Sequence, residues 1–408
     1  MDETVLKKLA GLPPLGGGPA PSRVCKICGA AARPFDVVDF NKFCDQRDPY
    51  RFGYSGIPVY YYRCVDCEFL FTDFADDWSE EDFKNYIYND DYIKVDGDYA
   101  EARPRRDAQF FADLLRPYPG LSLLDYGGGA GVLAAALREE GFDAECYDPF
   151  SSPARPERRF GLITCMEVIE HSPDPIATLR DMGSFLEPGG CILVGTGLQP
   201  DDIETLRTGW WYVGPRNGHV SLQSAASLIP LARAAGLIAY RGGYLHGFAA
   251  SPSDRSAALL ARIGRPAVDL LLGAPDAEGS AGPGVTCDLA DWHGIEDAHL
   301  RWTAQSEVAW HWTPPWPRCD VEFRFPFIME IAPGFVAGAQ LHIDGQGVSL
   351  HSDGRTIKAR ASLESEAPVT IRLVTPPPPT PQQIYGSADL RHLGIAFPVY
   401  GARRQGEP

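Results

Sequence analysis

The chain has 408 residues, 44% hydrophobic and 22% charged, which supplies material for a sizeable buried core and excludes wholesale intrinsic disorder. Its 54 Asp and Glu against 37 Lys and Arg leave a formal charge of −17, so a phosphate backbone is repelled by the average surface and nucleic acid is excluded as a partner. Neither a signal-type apolar core nor a run of about 18 apolar residues occurs, so the expectation is a cytoplasmic protein without a membrane span, whose ten cysteines are ligands or packed thiols.

Residues 1–22, rich in Gly and Pro, read as a flexible leader. Residues 23–100 form an aromatic and acidic module opened by Cys25-x-x-Cys28 and Cys64-x-x-Cys67, with 35 residues between the pairs. Four thiolates suit tetrahedral zinc at about 2.3 Å per bond, and a closed four-sulfur shell leaves no position for water. The metal is therefore expected to be structural Zn2+, with two pairs of buried thiols as the alternative and Cys44 as a substitute ligand. Cys146, Cys165, Cys191, Cys287 and Cys319 read as packed small hydrophobes.

Residues 101–250 alternate short apolar runs with helical segments, the pattern of a Rossmann-like, doubly wound parallel α/β sheet. Within it, LLDYGGGAG sets Asp125, Gly127, Gly129 and Gly131 at two-residue intervals after a strand and before a helix, where glycines allow close backbone approach to a ligand. Residues 251–304 read as a helical connector. From 305 to 408 the period falls to two, with Asp344–Gly345 and Asp353–Gly354 as hairpin signals, so a C-terminal antiparallel β-sandwich-like domain with a Pro-rich tail is expected. Five of the eight tryptophans lie between Trp292 and Trp316, either a sugar-binding platform or the packing layer between two domains.

An acid followed by G-x-G-x-G, then Asp148 in DAECYDPF, then FGLITCMEVIEH, then LEPGGCILVGT resembles class I S-adenosylmethionine-dependent methyltransferases. The resemblance implies S-adenosyl-L-methionine as cofactor. It implies that Asp125, Tyr126, Gly127, Gly129 and Gly131 hold the methionine part, that Asp148 with Pro149 holds the ribose, and that Glu167 and Tyr92 also line the cofactor site. One departure is visible: SSPARPERR, between Asp148 and Phe160, is too short for the usual helix and third strand, so no adenine contacts are assignable.

The cysteine module ahead of this domain is similar to that of sugar and surface-glycan methyltransferases, which implies O-methylation of a sugar, nucleotide-linked or within a polysaccharide. Tyr88, Trp210, Trp211 and Tyr212 are then candidate substrate contacts, with packing between module and sheet as the other role for Tyr88 and Tyr92. A base must take the acceptor proton, and His219 is the first candidate and His171 the second. The family's Glu ahead of the equivalent His is Gly218 here. The other role for His219 is capping the following helix; as a base, its acid limb is expected near pH 6.5, about the free-histidine value. A small secondary metabolite or a peptide is the alternative acceptor, and a non-catalytic scaffold is the alternative class. Acceptor identity and oligomeric state are not legible.

Overall fold

The structure is a computed structural model that describes residues 21–150 and 154–399, apart from Pro283, residues 297–299, Pro317, Pro333, Asp353, Ser365, Gly386, Ala388 and Leu390. Residues 1–20 of the expected leader, and Asp353 of the second hairpin signal, lie outside the described residues. The chain divides into two units, Met1–Leu237 with Gly242–Ile263, and Ile238–Arg241 with Gly264–Pro408.

The first unit opens with β1 (Arg23–Val24), β2 (Ala31–Asp39), β3 (Pro58–Cys64) and β4 (Leu70–Phe71), side by side in an antiparallel sheet. Next come β5 (Leu123–Tyr126), β6 (Ala144–Tyr147), β7 (Phe160–Met166) and β8 (Leu186–Gly195), parallel in the order β8-β7-β5-β6. Every residue of β5 is buried, and β7 is buried up to Met166. Such continuous apolar runs, rather than alternation, belong to strands covered on both faces. Among the described residues no strand lies between β6 and β7, so β6 is the sheet edge, as the short SSPARPERR segment requires. β9 (Ser221–Leu222) returns to the first sheet and pairs with β4, while β10 (Ile238–Arg241) belongs to the second unit and β11 (Leu245–Ala249) runs antiparallel on β8.

Three expectations change in the second unit. The stretch 251–304 is helical in Asp254–Ile263 and in a short 3-10 turn, Leu289–Asp291; from Arg265 it is mainly strands and turns, with Pro266, Ala267 and Leu270 of β12 buried and Leu271 exposed, a pattern with no helical stripe. β12 (Arg265–Leu271) pairs with β10 and, in parallel, with Cys319–Pro326, so the β-unit is mixed rather than purely antiparallel; the chain leaves and returns through other strands before laying that second strand in the same direction. Trp292, Trp302, Trp310 and Trp312, rather than lying on an open platform, are buried in one core with Phe323, Phe325 and Phe397 of the same unit, where large rings bury the most apolar area. Asp344 and Gly345, both in left-handed backbone (φ 48° and 83°), make the expected hairpin turn between Gln340–Ile343 and Gln346–Val348.

Candidate active site and a four-cysteine centre

The glycine loop follows β5 and opens the helix Val132–Glu139. Gly127, Gly129 and Gly131 all take positive φ (74°, 55° and 76°), which other residues enter at a cost of about 1 kcal/mol or more. Beneath the loop Asp125 is 2% exposed; Thr164 donates to its Oδ1 at 3.3 Å, and its Oδ2 is buried without a partner. Burial pushes this carboxyl up to about 7. A Cβ on Gly128 would overlap that carboxyl group and lie 2.8 Å from Cys146 Sγ, so the backbone passes as close as glycine permits. Asp148, just after β6, accepts from Gly129 N at 2.9 Å and from Phe150 N at 2.8 Å, which ties the second strand to the loop. An orphaned buried carboxylate oxygen under a left-handed glycine cradle fits a ligand with donor groups. Tyr126 turns away, its hydroxyl donating to Asp181.

The second cluster gathers where β7 and β8 end. Glu167 holds left-handed backbone, φ 54°, while its N–H donates to Gly195 O at 2.9 Å; strain at a non-glycine residue held this way is typical of a functional position. Tyr244 donates to Glu167, and Tyr212 donates to Glu170. Thr196 also bonds Glu170, which is fully buried. Burial, then the charge of Glu167, raises the Glu170 carboxyl well above its ordinary range, which favours its neutral form. Burial likewise raises Glu167, against the hydrogen bond from Tyr244 and the charge of Arg103.

His219 and His171 meet edge to face with centroids 4.8 Å apart. His219 is 3% exposed, and its Nδ1 lies 2.8 Å from Tyr212 O. A carbonyl only accepts, so Nδ1 carries the proton and Nε2 keeps its lone pair. Burial, then the neighbouring His171, lowers His219 well below 6.5; burial also lowers His171, to about 4. The expected acid limb near 6.5 is therefore displaced downward. Nor does His219 cap a helix: β9 follows it, and the next helix begins at Leu228.

The remaining predicted residues divide. Tyr88 packs on His171 at 5.9 Å and Phe150 at 6.2 Å, between the histidine pair and the Asp148 turn that Pro149 joins to Phe150. Tyr92 is buried, edge to face with Tyr88 and Tyr99, with its hydroxyl donating to Asn217 O at 3.4 Å. Trp210 is buried in the core with Phe35, Val59 and Tyr61, while Trp211 is 42% exposed. Sequence reading missed Tyr244, Thr196 and Tyr61, which carry no motif signal, and left Glu170 out of the candidate set although it stands beside His171.

Cys25, Cys28, Cys64 and Cys67 converge, with Sγ atoms within 4.8 Å of one another and pair separations of 3.7 Å (Cys25–Cys67) and 3.4 Å (Cys28–Cys64). Tetrahedral zinc with 2.3 Å bonds needs sulfurs about 3.8 Å apart, so the donor set fits the ion. Gly29 and Glu68, at matching places after each pair, take φ 75° and 63°, and N–H groups of Ile27, Asp66 and Cys67 point at the sulfurs. Cys44 does not belong to this group. Its Sγ lies 3.5 Å from His219 Nδ1 and 3.7 Å from Tyr212 O, because the β2–β3 connection carries it to the 212–219 loop.

Residues 99–239 match the family described as "Methyltransferase domain". Among curated proteins, the ubiquinone biosynthesis O-methyltransferase of Parvibaculum lavamentivorans is 33% identical over 122 residues, 23% of this chain and 48% of the relative. That of Xanthomonas campestris pv. campestris is 30% identical over 104 residues, 19% of this chain and 44% of the relative. This chain thus spans less than half the length of these relatives. Among solved structures, mitomycin 7-O-methyltransferase MmcR overlays with a TM-score of 0.33 at 15% identity, across 43% of this chain and 61% of that one. The glycine loop, Asp148, the β7 acids and both histidines all fall inside the span that matches the methyltransferase-domain family.

Proposed function

We propose that this chain is an S-adenosylmethionine-dependent methyltransferase that O-methylates a small hydroxylated acceptor, with His219 as the base. The observation that carries the reading is the state of His219: neutral at physiological pH, its Nδ1–H committed to Tyr212 O, its Nε2 lone pair uncommitted. Asp125, Gly127, Gly129, Gly131 and Asp148 would hold the cofactor, which supplies a methyl group on an electrophilic sulfonium. His219 would accept the acceptor's hydroxyl proton as the oxygen gains the methyl. His171 and Tyr88 would flank the acceptor, and Glu167, strained at the strand end, would face the same space with Tyr244.

A sugar hydroxyl is the preferred acceptor, supported by the resemblance of the cysteine module to that of sugar methyltransferases. A planar phenolic acceptor is the second reading, favoured by the curated relatives' action in ubiquinone biosynthesis and by the ring wall of Tyr88 and Phe150. Zinc at the four cysteines completes the proposal, as a structural ion. Among the described residues no helix is long and apolar enough to cross a membrane. The retained glycine cradle speaks against a scaffold without chemistry, which has no need of an orphaned acid beneath it.

Calorimetry with S-adenosylmethionine and its demethylated product tests the reading. Binding in the micromolar range is expected, weakened roughly 10- to 150-fold by Asp148→Ala, the equivalent of about 1.5–3 kcal/mol for hydrogen bonds to a charged group. No binding by the intact protein would refute it. Labelled methyl transfer onto a panel of nucleotide sugars and phenols then separates the two acceptor classes.

A further inference from the structure

The second cysteine pair does more than close a metal site, because its backbone is shared with the segment that carries His219. Cys64 ends β3, Cys67 lies three residues before β4, and Cys64 N bonds Phe69 O at 2.9 Å, so metal, knuckle and β4 form one short loop. That loop grips residues 219–224 repeatedly. Tyr61, from β3 and fully buried, donates to His219 O at 2.7 Å, and Thr72 N donates to Val220 O at 3.0 Å. Leu70 and Phe71 of β4 face Leu222 and Ser221 of β9. Ser224 Oγ donates to Cys67 O at 2.9 Å, while Gln199 Nε2 bridges Glu68 O and Leu222 O at 2.9 and 3.0 Å.

On its other side the segment is held by the turn that carries the acids. Val220 N donates to Glu170 O at 2.8 Å, and Ser221 Oγ donates to Ser172 O at 2.6 Å. His219 is therefore clamped between the cysteine knuckle and the Glu170–Ser172 turn. None of these bonds reaches Asp125, Gly127–Gly131 or Asp148.

We propose that the four-cysteine centre positions the base: through β4, Tyr61 and Ser224 it fixes the backbone of residues 219–224, so that losing the metal disables His219 while sparing the cofactor loop. Tyr61 and Ser224 are the positioning residues. The inference rests on the reading of His219 as base and of the cysteines as a zinc site. It makes turnover sensitive to zinc withdrawal or thiol oxidation at a centre that performs no chemistry itself.

The test uses the full chain. Hydrogen exchange is compared before and after zinc removal by a chelator, with zinc content measured alongside. Exchange at 219–224 should speed up at least about tenfold, with residues 123–131 and cofactor affinity unchanged; equal protection of 219–224 in both forms overturns the proposal. Should the metal-free chain unfold altogether, a Tyr61→Phe, Ser224→Ala double variant with full zinc decides. A fall in kcat of about tenfold or more, with KM for the cofactor unchanged, supports positioning, and unchanged kcat overturns it. If His219→Asn retains turnover while exchange still responds to zinc, the clamp stands and the assignment of the base falls.

Discussion

Replacing His219 by Asn separates chemistry from architecture. The Asn Nδ2 hangs from Cγ as the histidine Nδ1 does, so it keeps a donor for Tyr212 O but offers no basic nitrogen. His219→Ala instead strands that buried carbonyl, costing about 1–3 kcal/mol, and leaves a void beside Cys44, Tyr212 and His171. The Ala variant should lose about 2–4 kcal/mol of stability and most of its turnover, which leaves its activity loss ambiguous. The Asn variant should lose about 1 kcal/mol or less, keep its cofactor affinity, and still fall roughly 10²–10⁴-fold in kcat, the usual contribution of a positioned base. Thermal unfolding, calorimetry and single-substrate kinetics on both variants make the comparison. Because burial and His171 lower the His219 pKa, wild-type kcat should stay level as pH falls through 6.5 and decline only below it. An Asn variant with wild-type turnover, or a wild-type limb at or above 6.5, would refute the assignment.

Gly128→Ala should weaken cofactor affinity at least about tenfold, and destabilise the fold by about 1–3 kcal/mol, since the added methyl meets the Asp125 carboxyl and Cys146; calorimetry and melting check both. Glu170→Gln should be nearly silent in stability, within about 1 kcal/mol, because burial favours the neutral carboxyl and the amide oxygen still accepts from Tyr212, whereas Glu170→Ala removes the acceptor that Tyr212 and Thr196 share and should cost about 2–3 kcal/mol. A large loss in the Gln variant would show that the carboxyl is ionised. His171 has a folded pKa near 4, below its unfolded value of about 6.5, so its contribution is complete above 6.5 and lost as pH falls toward 4. Asp125, raised to about 7, works oppositely across that window, so the wild type is compared with His171→Gln. The variant should lack an acid-side loss of up to about 3 kcal/mol, and identical melting profiles would contradict the shift.

The sequence by itself determined the local chemistry. Glycines at two-residue spacing after LLDY dictate a turn that other residues enter only with strain, and three of them hold left-handed backbone here. Two C-x-x-C pairs fix two knuckles whatever surrounds them, and DG at Asp344–Gly345 fixes a hairpin. The shortness of SSPARPERR agrees with the absence of a strand between β6 and β7 among the described residues.

Tertiary structure decided what joins distant segments. Whether Cys44 joins the four sulfurs or His219 depends on the path of a loop, and a lone cysteine carries no spacing to read. Tyr212 and Trp210 sit two residues apart in one aromatic run. Packing buries both rings in one core, but only the first carries its hydroxyl to two carboxylates. Trp310 and Trp312 lie on one face of a single strand, and it is the rest of the core that buries that face, since period two marks a face without saying what covers it. The clamp on His219 belongs to the same class: β9 is two residues long, below any periodic signal, and pairs with β4 across about 150 residues of chain only once both sheets exist.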